Sequence, residues 1–208
     1  GLFAPGNMMR ETARKSSGAD APRLVDMTRK AIEILSRQKG GYFLMVEGGL
    51  IDKAHHQNLI YEALNETAEL DEAVAAALSM TDPAETLIVV TADHSHGLTL
   101  NGGRRDSAVL GVAPGNDEEP AKALDGKAVP ILMYSTGPGA PQDRPRGDPA
   151  GDRPEDPERR ALAAVPLGSA AHTGEDVVAY AQGPGSRAFR GLIEQPAVFQ
   201  AMRAALGL

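Results

Sequence analysis

The segment 46–58, VEGGLIDKAHHQN, sets Glu47, Asp52, His55 and His56 within ten positions. Imidazole nitrogens and carboxylate oxygens are the donors that zinc and other borderline divalent ions accept. The chain has no cysteine, so a thiolate site is excluded. Asp52 and His56 are four apart. A helix starting after Gly48-Gly49 puts them on one face, at the spacing that presents two ligands to one ion. Glu47 stands apart from the histidines, and a lone hard carboxylate suits magnesium better. The other histidines fall in two short stretches, Asp93-His94-Ser95-His96 and Ala171-His172-Thr173-Gly174-Glu175-Asp176. An Asp-x3-His pair on a helix is more often an ion pair than a metal site, and a single histidine such as His172 is usually structural. What sets this chain apart is that all five histidines gather in three clusters, two of them beside carboxylates.

Those clusters need elements to position them. Residues 24–38 repeat Leu24, Met27, Ala31, Ile34 and Leu35 at helical spacing, and Gly40-Gly41 ends the pattern. Residues 42–46, apolar on both faces, read as a strand of a parallel sheet. A helical pattern over 52–80 follows through Ile60, Leu64, Ala68, Val74 and Leu78, with a break near Asn65 allowed. Residues 86–90 read as the next buried strand, and strand-helix-strand in this order predicts a right-handed βαβ unit. Sites of open α/β sheets lie beyond the carboxyl ends of the strands. Glu47 and Asp93 both fall there, so the two carboxylates are expected in one crevice. Further strands are predicted at 128–134 and 177–181. Six prolines between 138 and 157 read as a solvated loop, and Pro196 as the first turn of a last helix with Val198, Phe199, Met202 and Leu206 inward.

Composition narrows the partners. The 208 residues carry 21 basic and 28 acidic side chains, a net charge of −7, which argues against nucleic acid or an anionic membrane as partner. Aromatics make up 4%, so alanine and aliphatic side chains must fill the core. No apolar run reaches membrane-spanning length. The first residue is Gly1, and neither a signal peptide nor an anchor is readable.

Three strings, YFLMVEGGLIDKAHH, LIVVTADHSHG and AAHTGEDVVAYAQGPGS, together with the opening GLFAPG, resemble the alkaline phosphatase family, in order and at similar separations. The resemblance implies an α/β three-layer sandwich with a mostly parallel central sheet, of which this chain supplies roughly the carboxyl-terminal half. Residues 1–100 are expected to belong to the core, 101–170 to a crown-like insertion with the proline-rich loop, and 171–208 to the return to the core. The activity implied is hydrolysis of phosphate monoesters with two zinc ions and one magnesium, through a phosphoserine intermediate. Asp52, His56 and His172 match ligands of the first zinc, Asp93 and His94 ligands of the second, and Glu47 a magnesium ligand. His96 matches a histidine that orients a zinc-bound aspartate, and Lys53 a lysine that approaches the phosphate through water. His55 matches no role. A homodimer and a periplasmic, extracellular or cell-surface location are also implied.

The departures are as informative. The family's nucleophile is a serine in an Asp-Ser-Ala stretch that is expected upstream of Gly1. Asp106-Ser107-Ala108 has the letters, but it follows the second zinc motif and lacks the small residues that lead into a helix. Ala4 stands where animal members carry a calcium-ligating glutamate, which speaks against a calcium site. The competing readings are a related phosphodiesterase or sulfatase, and a non-catalytic metal-binding or dimerisation fragment.

Overall fold

In a computed structural model of the chain, which describes residues 1–116 and 119–208, the helical pattern of 52–80 is cut at Asn58 rather than at Asn65. The first helices are α1 (Glu11–Ser17), α2 (Leu24–Leu35), α3 (Leu50–His56) and α4 (Ile60–Met80). The strands are β1 (Ile88–Thr91), β2 (Leu98–Leu100), β3 (Leu132–Gly137), β4 (Ala163–Pro166) and β5 (Ala179–Gln182), and α5 (Gln195–Ala205) closes the chain. The fold is α/β. Its contacts divide it into two units. One comprises Gly1–Ala21, Gly48–Thr67 and His94–Glu175, the other Pro22–Glu47, Ala68–Asp93 and Asp176–Leu208.

The first unit is organised around Asn58. At the end of α3 the Asn58 N–H donates to the His55 carbonyl and the Leu59 N–H to that of Ala54, at 2.9 and 3.0 Å. That is the Schellman pattern, which needs a left-handed residue after the cap. Asn58 has φ 55° and is the one described non-glycine residue with positive φ. Asparagine tolerates this region better than other side-chain-bearing residues because its short amide bonds locally. Here the amide is fully buried. Its Oδ1 accepts from the Gly139 N–H at 2.9 Å and its Nδ2 donates to the Thr136 carbonyl at 3.2 Å. The Asn58 carbonyl takes the Ala161 N–H at 2.8 Å. Two glycines make the approach possible. A Cβ on Gly137 would run into the Asn58 amide, and one on Gly139 into the Ala161 carbonyl.

β3 is the centre of a three-stranded sheet, antiparallel to β2 and parallel to β4. Behind it Ile60, Tyr134, Ala140, Ala161 and Ala163 form the core, with Leu64, Leu98, Leu110 and Leu132 against them. The small aliphatic core follows from the scarcity of aromatics. Burying Ile60 alone is worth about 2 kcal/mol. The predicted strand 128–134 begins later, at Leu132, and Ala128 and Pro130 make only isolated bridges, to Lys122 and Val112. The proline-rich loop holds a single 3-10 turn, Pro149–Gly151, and is pinned: Arg146 pairs with Asp125 and donates to the Ala128 carbonyl at 2.9 Å.

In the second unit β1 pairs with β5, antiparallel, Ile88 facing Gln182 and Thr91 facing Ala179. Residues 42–46 form no strand or ladder among the described residues, so the predicted βαβ pairing is not made. A strand needs a neighbour to supply its backbone donors and acceptors. Without one, Phe43 and Met45 stand 59% and 74% exposed. The mostly parallel sheet is therefore only partly present. α4 buries Ala73 and Ala76 against Val25, whereas the predicted Ala68 and Leu78 are exposed. Alanine on every face of this helix blurs the apolar stripe. Glu69 is buried because Arg23 forks onto it at 3.0 and 2.7 Å. α5 starts with Pro196 in its first turn as expected, but Phe199 and Leu206 face outward.

Asn58→Ala is expected to cost about 3 kcal/mol, because it leaves the half-buried Gly139 N–H without an acceptor and puts at positive φ a side chain that tolerates that region less well than asparagine. Asn58→Gly removes the same bonds without the strain and is expected to cost about 2 kcal/mol. Urea denaturation midpoints of the two variants check both the size and the order.

Candidate metal centre

Four short pieces of the first unit converge. α3 carries Asp52 and His56 one turn apart. The 94–97 turn carries His94 and His96. The 169–173 loop carries His172, and β3 supplies Tyr134 beneath them. Backbone bonds hold the pieces together. The Ala170 N–H donates to the His56 carbonyl at 2.8 Å, and the Thr173 N–H to that of Ser95 at 2.9 Å. The Ala171 N–H donates to the Thr136 hydroxyl at 3.0 Å.

Asp52, His94, His96 and His172 each present a donor atom within 4.8 Å of the others. His56 completes a second figure. Its Nε2 lies 3.2 Å from His172 Nε2 and 3.4 Å from Asp52 Oδ1, and His172 Nε2 is 3.4 Å from the same oxygen. Three donors around a tetrahedral zinc, bonded at about 2.0–2.1 Å, stand about 3.3 Å apart. The triangle therefore has the size of a zinc-binding face. The tautomers fit as well. His56 Nδ1 donates to the Ala170 carbonyl at 2.8 Å and His94 Nδ1 to the Ser95 carbonyl at 3.2 Å. Both bonds leave Nε2 as the bare donor, the usual arrangement for ligating histidines.

Asp52 is the hub. Burial by itself would raise its carboxyl, but the Lys53 ammonium on Oδ2 at 2.9 Å and the His96 Nε2–H on Oδ1 at 2.6 Å outweigh that, with the charge of His56 adding to them. The group is held far below the usual carboxylate range and stays ionised. Burial pushes His96 down, against the pull of Asp52. Burial, then the neighbouring His96, pushes His55 down to about 4. Neutral rings keep the lone pairs that a cation needs. His96 Nδ1 is buried and has no hydrogen-bond partner among the described residues.

The structure thus gathers Asp52, His56, His94, His96 and His172, with Lys53 at the carboxylate. Glu47 and Asp93 are exposed, and neither is a member of the four-residue group. Sequence reasoning left His55 without a role and passed over Tyr134. The Tyr134 hydroxyl bonds His55 Nδ1 at 2.7 Å, and His55 stacks on His96 with ring centres 5.4 Å apart. The doubled histidine at 55–56 was the available signal. Nothing in the sequence ties Tyr134 to it.

An α/β protein with a histidine and aspartate centre of divalent-metal type is the class these features define. A family model described as alkaline phosphatase matches residues 1–208. Alkaline phosphatase 4 of Drosophila melanogaster is 39% identical over 94% of this chain and 34% of its own length. The tissue-nonspecific alkaline phosphatase isozymes of Gallus gallus and Rattus norvegicus are each 38% identical, over 97% and 94% of this chain and 38% and 36% of theirs. The chain belongs to the alkaline phosphatase family and spans about a third of the length of the curated relatives it matches. No described helix is long and apolar enough to cross a membrane.

Asp52→Asn keeps the shape of the hub and removes its charge. It is expected to weaken zinc binding by more than about 100-fold, beyond the loss usual for partners outside the ligand shell. Competition with a chromogenic chelator measures it.

Proposed function

We propose that residues 1–208 carry the zinc-ligand part of a phosphomonoester hydrolase of the alkaline phosphatase type, working with two zinc ions and one magnesium through a phosphoserine intermediate. The observation that carries this reading is the triangle of Asp52 Oδ1, His56 Nε2 and His172 Nε2, with edges of 3.2 to 3.4 Å. In this reading these three hold the first zinc, Asp93 and His94 hold the second, and Glu47 holds magnesium. His96 orients Asp52. When bound, the ions neutralise the phosphate and assist the attacking and leaving oxygens.

The chain's own groups complete the task. Asp52 stays ionised under Lys53 and His96, and the Nδ1 bonds of His56 and His94 to backbone carbonyls leave Nε2 for ligation. The Lys53 ammonium, at the edge of the site, adds positive charge that an acidic protein otherwise lacks for an anionic substrate. The serine nucleophile is assigned to sequence outside residues 1–208. Ser107 is a poor substitute, because its hydroxyl accepts the Arg104 N–H at 2.9 Å and closes its own turn. In the same reading, residues 101–170 are the crown-like insertion between core segments 1–100 and 171–208. The intact enzyme is a homodimer in the periplasm or at the cell exterior. Ala4 leaves no glutamate for a calcium site.

The test is hydrolysis of p-nitrophenyl phosphate at alkaline pH. A longer protein that includes the upstream serine is expected to turn over and to lose more than about 100-fold of its rate to a chelator. Residues 1–208 alone are expected to be inert. Comparable turnover by 1–208 alone sinks the external nucleophile. Faster hydrolysis of the bis-p-nitrophenyl diester or of a sulfate ester by the longer protein sinks the monoester reading.

A further inference from the structure

Within the crowded histidines, His55 is the one without a place in the proposed chemistry. It lies next to His56 in sequence, yet its ring turns away from the ligand triangle to the floor of the site. Its Nδ1 meets the hydroxyl of Tyr134, a side chain in β3 with no solvent exposure, at 2.7 Å. On its other side the ring lies nearly parallel to His96, at 21° and 5.4 Å between centres. His96 then donates to Asp52 Oδ1 at 2.6 Å. Four side chains from three elements form one line: Tyr134, His55, His96, Asp52.

We propose that Tyr134 and His55 are positioning residues: a buried strut that sets the plane of the His96 imidazole and, through it, the direction of the Asp52 carboxylate. Several features require such a strut. Among the described residues the His96 ring has one hydrogen bond, at Nε2, because its Nδ1 is buried without a partner there. A ring held at one nitrogen can still swing about that bond. Flat contact with His55 removes this freedom on one face, while His56, His94 and His172 meet the ring edge-on at 4.7, 5.3 and 5.0 Å. His55 in turn needs an anchor, and β3 is the stiffest available, paired on both edges. The carboxylate at the end of the line has little slack. Oδ1 faces His56, His96 and His172 while Oδ2 faces Lys53. A rotation of the carboxylate exchanges these partners and opens the triangle.

The proposal rests on the reading of Asp52 as a ligand but not on the reaction. The probe is Zn2+ alone, or Co2+ for its visible spectrum, on the whole polypeptide that contains residues 1–208. Tyr134→Phe deletes one oxygen and keeps the packing. His55→Phe keeps a flat ring against His96 and deletes the nitrogen that bonds Tyr134. Each is expected to lower Zn2+ affinity about tenfold, the low end of what partners outside the ligand shell cost. Each is also expected to shift the Co2+ absorption bands, with the double variant no worse than either single one, as for members of one line. A role in general stability alone lowers the unfolding midpoint and leaves the Co2+ bands of the folded protein in place. Unchanged affinity and bands in folded Tyr134→Phe overturn the strut, whatever His55→Phe does. Wild-type protein that binds Zn2+ in this strut-dependent way but hydrolyses no phosphate monoester sinks the proposed function and leaves the strut standing.

Discussion

The structure of the site turns on keeping one carboxylate charged inside a ring of imidazoles. Asp52 is partly buried, and burial by itself disfavours its anion. Lys53 on one oxygen and His96 on the other reverse the balance. The anion in turn gives His56 and His172 a reason to face the same point instead of turning outward to water. Without it, two imidazole nitrogens 3.2 Å apart have only each other. The elements around the site serve this arrangement. The one-turn spacing on α3 sets Asp52 under His56, and the Ser95–Thr173 bridge brings the second and third histidine clusters side by side.

That arrangement depends on a backbone decision made two residues away. α3 has to stop directly after His56, so that His56 sits at a helix end with its ring free to meet a distant loop. Asn58 makes the stop. Its amide then spends one hydrogen-bonding end on Thr136 in β3 and the other on Gly139 just after it. The same residue thus ends a helix and fastens that helix to the sheet whose central strand carries Tyr134.

Much of this was legible in the sequence, and the failures share a cause. The one-turn spacing of Asp52 and His56, the gathering of the histidines and the resemblance carried by GLIDKAHH and TADHSH were local patterns and could be read directly. Asn58 was missed because the 52–80 pattern continues through it, and an asparagine shows its left-handed state only through partners eighty residues on. Residues 42–46 have the composition of a buried strand, but composition does not provide a neighbour. The inward face of α4 was misread because alanine occurs all round it and because Glu62, Glu66 and Glu69 are buried beside partners in distant segments. Tyr134 was invisible as a site residue for the same reason. Its meaning lies in a hydrogen bond spanning 79 positions.

His56 and His172 meet across a sequence separation of 116. Any ion that ligates both closes a loop of that size, which is the topological work of a disulfide. In the chain-entropy picture, tying a loop of about 100 residues withdraws roughly 4–5 kcal/mol of freedom from the unfolded ensemble. A polypeptide without a single cysteine has no covalent means of doing so. The cation would then be a fastener as well as a reagent. Its departure would loosen the join between α3 and the 169–173 loop, and metal supply would set the lifetime of the fold along with the rate of the chemistry.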